Sequence, residues 1–301
     1  MEPDVTTIKQ RLVDHYDRGA RQYHEANYAR KEAYSALQYR QFYIERMIEN
    51  QAVPKGARIL DVGCGPGELV LSLRNKGYDV WGVDISPVMV SEAIALLHGN
   101  GFMEPGRIAV GDIETLEFDD CSFDVVVAAG VIEYQRDDER ALSEMHRVLK
   151  PGGLLILNVT NRYSYLGILD GVYRWLKKHR ATRRLLGLVK SRLLGRGELH
   201  DFPDRRTHVP HAFDRDLVAF GFTKTGHNYF HFAPLPTPLD SVFAAWCKPA
   251  GRWLERFTDR PLGRLLGGGY LVMARRANRA APSGTRATAT YPGGSFRPLS
   301  Y

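Results

Sequence analysis

The run Ile59-Leu60-Asp61-Val62 and the loop after it, Gly63-Cys64-Gly65-Pro66-Gly67, constrain this chain more than any other segment. An apolar stretch enters a loop with glycine at every second position. Seventeen residues past Gly67, a second apolar stretch, Asp79-Val80-Trp81-Gly82-Val83, ends in Asp84. Strand, glycine turn, helix and a second strand tipped by an acid make a nucleoside-binding half of an α/β sheet. Glycine lets the backbone approach a ligand closely, because no Cβ stands in the way. Asp84 is placed to accept from two ribose hydroxyls, and such charge-assisted bonds are stronger than neutral ones. An acid can also cap a helix, but Ser86, ahead of Pro87, suits that role itself.

The spacing chooses between ligands. A dinucleotide loop wants a third glycine three positions after the second, so that pyrophosphate sits on a helix N-terminus. Here that position is Glu68, and the third glycine comes one residue early. An anion beside Glu68 is poorly placed. An adenosine ligand with a positive charge and no phosphate fits better, and S-adenosylmethionine is one.

Further segments follow in order: Gly82-Val83-Asp84-Ile85-Ser86, Val110-Gly111-Asp112-Ile113, Phe123-Asp124-Val125-Val126-Val127 and Leu149-Lys150-Pro151-Gly152-Gly153-Leu154. With the glycine loop, they resemble the ordered motifs of the class I S-adenosylmethionine-dependent methyltransferases. The resemblance is close over residues 58–160 and looser outside them. It implies a Rossmann-like, doubly wound α/β fold with a seven-stranded sheet, mostly parallel, its last strand antiparallel. S-adenosylmethionine is the implied cofactor, and a metal is not. Gly63, Gly65 and Gly67 would bend around its methionine part. Asp61 would orient the loop or meet the methionine ammonium through water. Asp112 would accept from the adenine amino group, with Glu114 the second choice. Ile85 and Ile113 would sandwich the purine, although both also read as plain core. Ala129 and Gly130 would expose backbone carbonyls at the methyl-transfer site.

For a hydroxyl acceptor the natural base near neutral pH is histidine. Many relatives carry histidine where Tyr134 stands, and tyrosine is a poor base at that pH. His208 becomes the first candidate, because relatives often place a substrate-facing histidine before the sixth strand. His211 is the second, with capping of the next helix alongside Asp214 as its alternative role. His227 and His231 share a face with Tyr229 on the expected sixth strand and either line the pocket or are structural. In relatives the N-terminal helix folds over the cofactor, so Tyr16 and Tyr23 are candidate contacts, with simple packing equally open.

Breakers and periodicity divide the chain. Residues 1–52 read as a helical lid, 53–276 as the main domain with insertions at 164–205 and 233–267, and 277–301 as a disordered tail. Strands are expected near 58–62, 79–84, 107–111, 124–129 and 154–160, with helices near 67–76, 87–99 and 138–149. This βαβα alternation implies a parallel sheet covered on both faces, with the ligand at the C-terminal strand ends. A helix over Phe213–Gly221, a sixth strand over Phe222–Phe232 and a last one over Gly269–Arg275 follow. Leu239, Val242, Phe243, Trp246, Trp253, Leu254 and Phe257 make the segment between those two strands apolar and read as a helical insertion.

The net charge of +7 is unevenly placed. Residues 174–196 hold nine Lys or Arg and no acid, and residues 275–301 hold five Arg and no acid. Without those fourteen cations the remainder is acidic by seven charges, which suits a sulfonium ligand and gives no basic nucleic-acid face. The 174–196 segment interleaves leucines with cations. It reads first as a helix with a solvated face, second as a peripheral contact with an anionic membrane, and third as an RNA-binding element. No run of eighteen apolar residues and no signal-peptide core are present, and Cys64, Cys121 and Cys247 lack metal-ligand spacing. The expected location is cytoplasmic or membrane-peripheral. The expected activity is methyl transfer to a small or amphipathic acceptor, O-methylation before N- or C-methylation. The rivals are a non-catalytic cofactor-binding partner protein and a nicotinamide oxidoreductase, the latter disfavoured by Glu68.

Overall fold

The computed structural model describes residues 9–19, 36–104, 106–169, 205–235, 244–258 and 260–277. Its strands are β1 Arg58–Val62, β2 Asp79–Asp84, β3 Ile108–Val110, β4 Phe123–Ala129, β5 Leu149–Thr160, β6 Phe222–Phe230 and β7 Gly269–Arg276. They form one sheet in the order β3-β2-β1-β4-β5-β7-β6. Pairing is parallel from β3 to β5, and β7 runs antiparallel to both β5 and β6. The order reverses between β1 and β4, so the crevice for a ligand opens at the C-terminal ends of these two strands. This is the expected Rossmann-like, doubly wound sheet.

Helices α1 (9–19), α2 (Ala36–Asn50), α3 (Glu68–Asn75), α4 (Pro87–Gly99) and α5 (Glu139–Val148) precede or join the strands. Pro210–Ala219 forms a helix before β6. Ala244–Leu254 and Pro261–Leu266 are helices between β6 and β7, as the apolar insertion predicts. The expected boundaries shift slightly. The helix before β6 starts at Pro210, whose missing N–H costs nothing there, and β6 ends at Phe230, not Phe232. His231 lies past the strand with φ 63°, so it no longer shares the face of Tyr229.

Alternation along each strand sorts side chains to two cores. On β5, Leu155, Leu157 and Val159 join Leu142 and Met145 of α5 and Phe213 and Leu217 of the helix before β6. Leu154 and Ile156 face the other way, with Ile44, Met47 and Ile48 of α2, Leu73 of α3 and Ala93 of α4. Both faces are thus sealed, which is why β4 reads as a continuous apolar run. Among the described residues no helix is long and apolar enough to cross a membrane.

Candidate active site

The glycine loop leaves β1 and starts α3. Gly63 adopts φ +74°, and a side chain there would collide with Val131 beyond β4. Gly67 packs in the same way on Ala93 of α4. Gly65 is different: it has φ +51°, and among the described residues nothing lies within 4 Å of where its Cβ would stand. Two of the glycines therefore serve packing, and the middle one borders open space.

Asp84 holds the loop's shape. Its Oδ2 accepts from Gly65 N at 2.8 Å and its Oδ1 from Ser86 N at 2.9 Å. Ser86 caps α4 by accepting from Met89 N at 3.1 Å, as expected. Asp84 is therefore not free of backbone duties, yet a carboxylate offers about four lone-pair sites, so two remain for hydroxyls. Burial raises its pKa, with Asp17 adding to the rise and the amides of Ser86, Gly65 and Ile85 pulling against it.

Asp61 is 3% exposed, and burial pushes its pKa up to about 7, with Arg40 opposing and Asp84 adding to the rise. Arg40 lies on α2 and was not singled out from sequence. Its guanidinium covers Gly130, which has φ +76°, so that a side chain at Gly130 would strike it. Arg40 also acts electrostatically on Tyr134. One cation in a tyrosine-rich helix carries no periodic signal, and only the tertiary placement of α2 reveals it. Cys64 is buried with its thiol pKa raised, so the loop cysteine is held as an inert thiol.

An acid that keeps its proton when folded but loses it when unfolded makes stability fall as pH rises between the two pKa values. For Asp61 that window runs from its ordinary 3.8 to about 7. Melting curves of wild type and Asp61→Asn across this window should diverge in the variant's favour and then run parallel above it. A constant offset would contradict the buried placement.

Helix α1 lies against the segments that follow β2 and β3. Lys9 Nζ donates to Asp112 Oδ2 and Glu114 Oε2, both at 2.5 Å. Ser86 Oγ donates to Asp17 at 2.5 Å. Tyr16 meets Tyr134 edge-on, with ring centroids 6.2 Å apart. Tyr23 lies outside the described residues, as does 174–196. Ile85 is half-buried, whereas Ile113 is 3% exposed and packs in the core with Val83 and Leu116. The core reading of Ile113 is the one the packing follows.

Past β4, Ile132–Tyr134 form a short 3-10 turn. Buried Glu133 accepts from Thr160 Oγ1 at 3.1 Å. The Tyr134 phenol is raised further by burial, so it holds its proton near neutral pH. His208 is buried. Its Nε2 lies 3.0 Å from Asp138, which also pairs with Arg206, while its Nδ1 is buried without a hydrogen-bond partner among the described residues. Burial works to raise Asp138, but His208 and Arg206 hold it below the usual carboxylate range. The Asp138–His208 pairing spans 70 residues and was not expected from sequence.

His211 is exposed and stacks on Tyr163 with centroids 6.0 Å apart. It does not cap its helix with Asp214, whose carboxylate is taken by Lys224 and the Tyr270 hydroxyl. His227 packs against Tyr229 and Tyr270, on the sheet face opposite Asp61. Of the two roles open to His227, its packing follows the structural one. Among the described residues no group of three or more His, Cys, Asp or Glu could hold a metal.

Residues 60–157 match a family model described as a methyltransferase domain. A malonyl-[acyl-carrier protein] O-methyltransferase of Erwinia billingiae is 36% identical over 110 residues, which cover 36% of this chain and 41% of that enzyme. The chain thus spans less than half of that relative's length. A sterol 24-C-methyltransferase of Gibberella zeae is 27% identical over 96% of this chain and 76% of its own. The magnesium protoporphyrin IX methyltransferase of Synechocystis, solved with bound SAH, superposes with a TM-score of 0.58 at 16% identity, covering 90% of this chain and 100% of that one. Residues 60–157 thus match a methyltransferase domain, and the sheet order and the loop are similar to those of the class I S-adenosylmethionine-dependent methyltransferases. S-adenosylmethionine is the cofactor of that class.

Proposed function

We propose that this protein transfers a methyl group from S-adenosylmethionine to an oxygen of a small or amphipathic acceptor. The observation that carries the proposal is the open space over Gly65, bordered by the carboxylate that anchors that loop. Asp84 would take the ribose hydroxyls and Asp112 the adenine amino group. Asp61 would face the methionyl ammonium, and Arg40 the carboxylate beside it. The cofactor supplies a methyl on sulfonium, and its leaving group is a neutral thioether. The residues then need chiefly to align the acceptor and exclude water. Helix α1, clamped by Lys9 and Asp17, is placed to do the second.

His208 is the proposed base. A proton on Nε2, donated to Asp138, would leave Nδ1 as the basic nitrogen. Tyr134 would orient the acceptor, and His211 is the second choice as base. Likeness to a C-methyltransferase over 96% of this chain and 76% of that enzyme keeps carbon methylation as the second reading. Peripheral contact of 174–196 with an anionic membrane belongs to the same proposal.

His208→Ala should cut methyl transfer by about a hundred-fold or more, the usual contribution of a general base, with cofactor affinity intact. Formation of S-adenosylhomocysteine and calorimetry read the two arms. Retained turnover would remove His208 from the mechanism and favour an acceptor that needs no base.

A further inference from the structure

The helices between β6 and β7 turn large apolar side chains outward. Along Ala244–Leu254 and into the turn after it, Cys247, Gly251 and Glu255 recur every fourth residue and are buried. Trp246 and Trp253, two helical turns apart, stand on the other side, 62% and 53% exposed. On Pro261–Leu266, Leu262 and Leu265 are 44% and 49% exposed. Apolar residues scattered singly over a surface need no explanation, but a run of them marks a contact site.

Cations are threaded through the same stretch. Arg252, Arg256, Arg260 and Arg264 recur every fourth residue, and all four are exposed. Arg260 lies over the Phe257 ring at 5.6 Å, and Phe257 meets Trp253 edge-on at 5.4 Å. Arg264 lies over the Tyr163 ring at 4.9 Å, just past β5. These contacts join the helices and the exit of β5 into one strip. Residues 244–268 hold five Lys or Arg against two acids, Glu255 and Asp259. Glu255 is turned inward, where it accepts from the Tyr43 hydroxyl at 2.8 Å.

The strand registers locate the strip. Thr160 at the end of β5 pairs with Gly269 at the start of β7, and Gly269 pairs with Phe230 at the end of β6. The helices therefore leave and rejoin the sheet at the edge where the parallel strands end and the ligand crevice opens.

We propose that this strip is a contact surface for an anionic lipid bilayer. The tryptophans and leucines would enter the boundary between headgroups and acyl chains, and the arginines would meet the lipid phosphates. A second copy of the chain would set like charges against each other, and a nucleic acid would leave Leu262 and Leu265 without an apolar phase. The surface is separate from residues 174–196. Entry of an amphipathic acceptor into the crevice from the bilayer rests on the methyltransferase reading above, whereas the contact itself does not.

The test is co-sedimentation of the full chain, without cofactor, with mixed phosphatidylglycerol–phosphatidylcholine vesicles and with pure phosphatidylcholine vesicles. Wild type should bind the mixed vesicles about tenfold tighter or more, and salt should weaken that binding. The paired change Trp246→Ser and Trp253→Ser should weaken binding to the mixed vesicles by about tenfold or more. Arg256→Gln with Arg260→Gln should do the same, at about 1 kcal/mol per cation, and leave binding to phosphatidylcholine unchanged. All four side chains are exposed, so both variants should melt near wild type. Absence of vesicle binding in wild type would overturn the proposal. So would equal, salt-independent binding to both vesicles, or binding unchanged in both variants, which would move the contact elsewhere on the chain. A dimer that forms without lipid and that the tryptophan changes dissolve would make the strip a protein interface, again overturning it. Calorimetry with S-adenosylhomocysteine tests the methyltransferase reading separately, and its failure would leave the vesicle result standing.

Discussion

Asp84→Ala is expected to weaken S-adenosylmethionine binding by about a hundred-fold or more. Two charge-assisted bonds to ribose hydroxyls would be lost, each contributing about 1.5 kcal/mol or more, and about 1.4 kcal/mol is a factor of ten. The same change frees the amides of Gly65 and Ser86, which Asp84 now holds at 2.8 and 2.9 Å. The loop would lose its anchor together with the ligand's contact. Calorimetry gives the affinity, and thermal melting separates it from stability. An Asp84→Ala protein that melts lower but binds within a few-fold of wild type would show that the acid serves the loop alone.

The second large effect separates the glycines. Gly63→Ala should destabilise the fold by about 3 kcal/mol, from a left-handed backbone and a collision with Val131. For a domain of this size that is a fall in melting temperature on the order of 10 °C. Gly65→Ala has the backbone term without the collision, so its stability loss should be about 1 kcal/mol. Its effect should appear in cofactor affinity, because the new methyl enters the open space. The opposite ranking, Gly65→Ala the less stable and Gly63→Ala the weaker binder, would invert the assignment of which glycine faces the ligand.

The parallel strands were legible because burial on both faces makes them continuous apolar runs. β4 was expected at 124–129 and is Phe123–Ala129. The glycine loop was legible because its spacing encodes a turn, and Ser86-Pro87 because capping is local. Legibility ends where function depends on residues distant in sequence. Arg40 is one of two arginines in its helix until α2 is laid over Gly130. Asp138 becomes notable only when His208 reaches it across the chain. Asn158 interrupts an apolar strand and Asn228 lies in a largely polar one, in the way surface positions do, and only the tertiary placement shows that both are buried. Ile113 resembled an adenine contact by motif, but its side chain is used in the core. His231 continued an alternation that the backbone breaks with φ 63°. Alternation says nothing about where a strand stops.

The most direct measurement is a calorimetric titration of the full chain with S-adenosylmethionine, S-adenosylhomocysteine and a nicotinamide dinucleotide. The loop spacing, the open face of Gly65 and the placement of Asp84 predict saturable binding of the first two at micromolar concentrations, lost in Asp84→Ala. They predict no comparable binding of the dinucleotide, since Glu68 stands at the first turn of α3 where pyrophosphate would need to sit. Saturable dinucleotide binding without binding of either sulfur ligand would contradict the account at its centre.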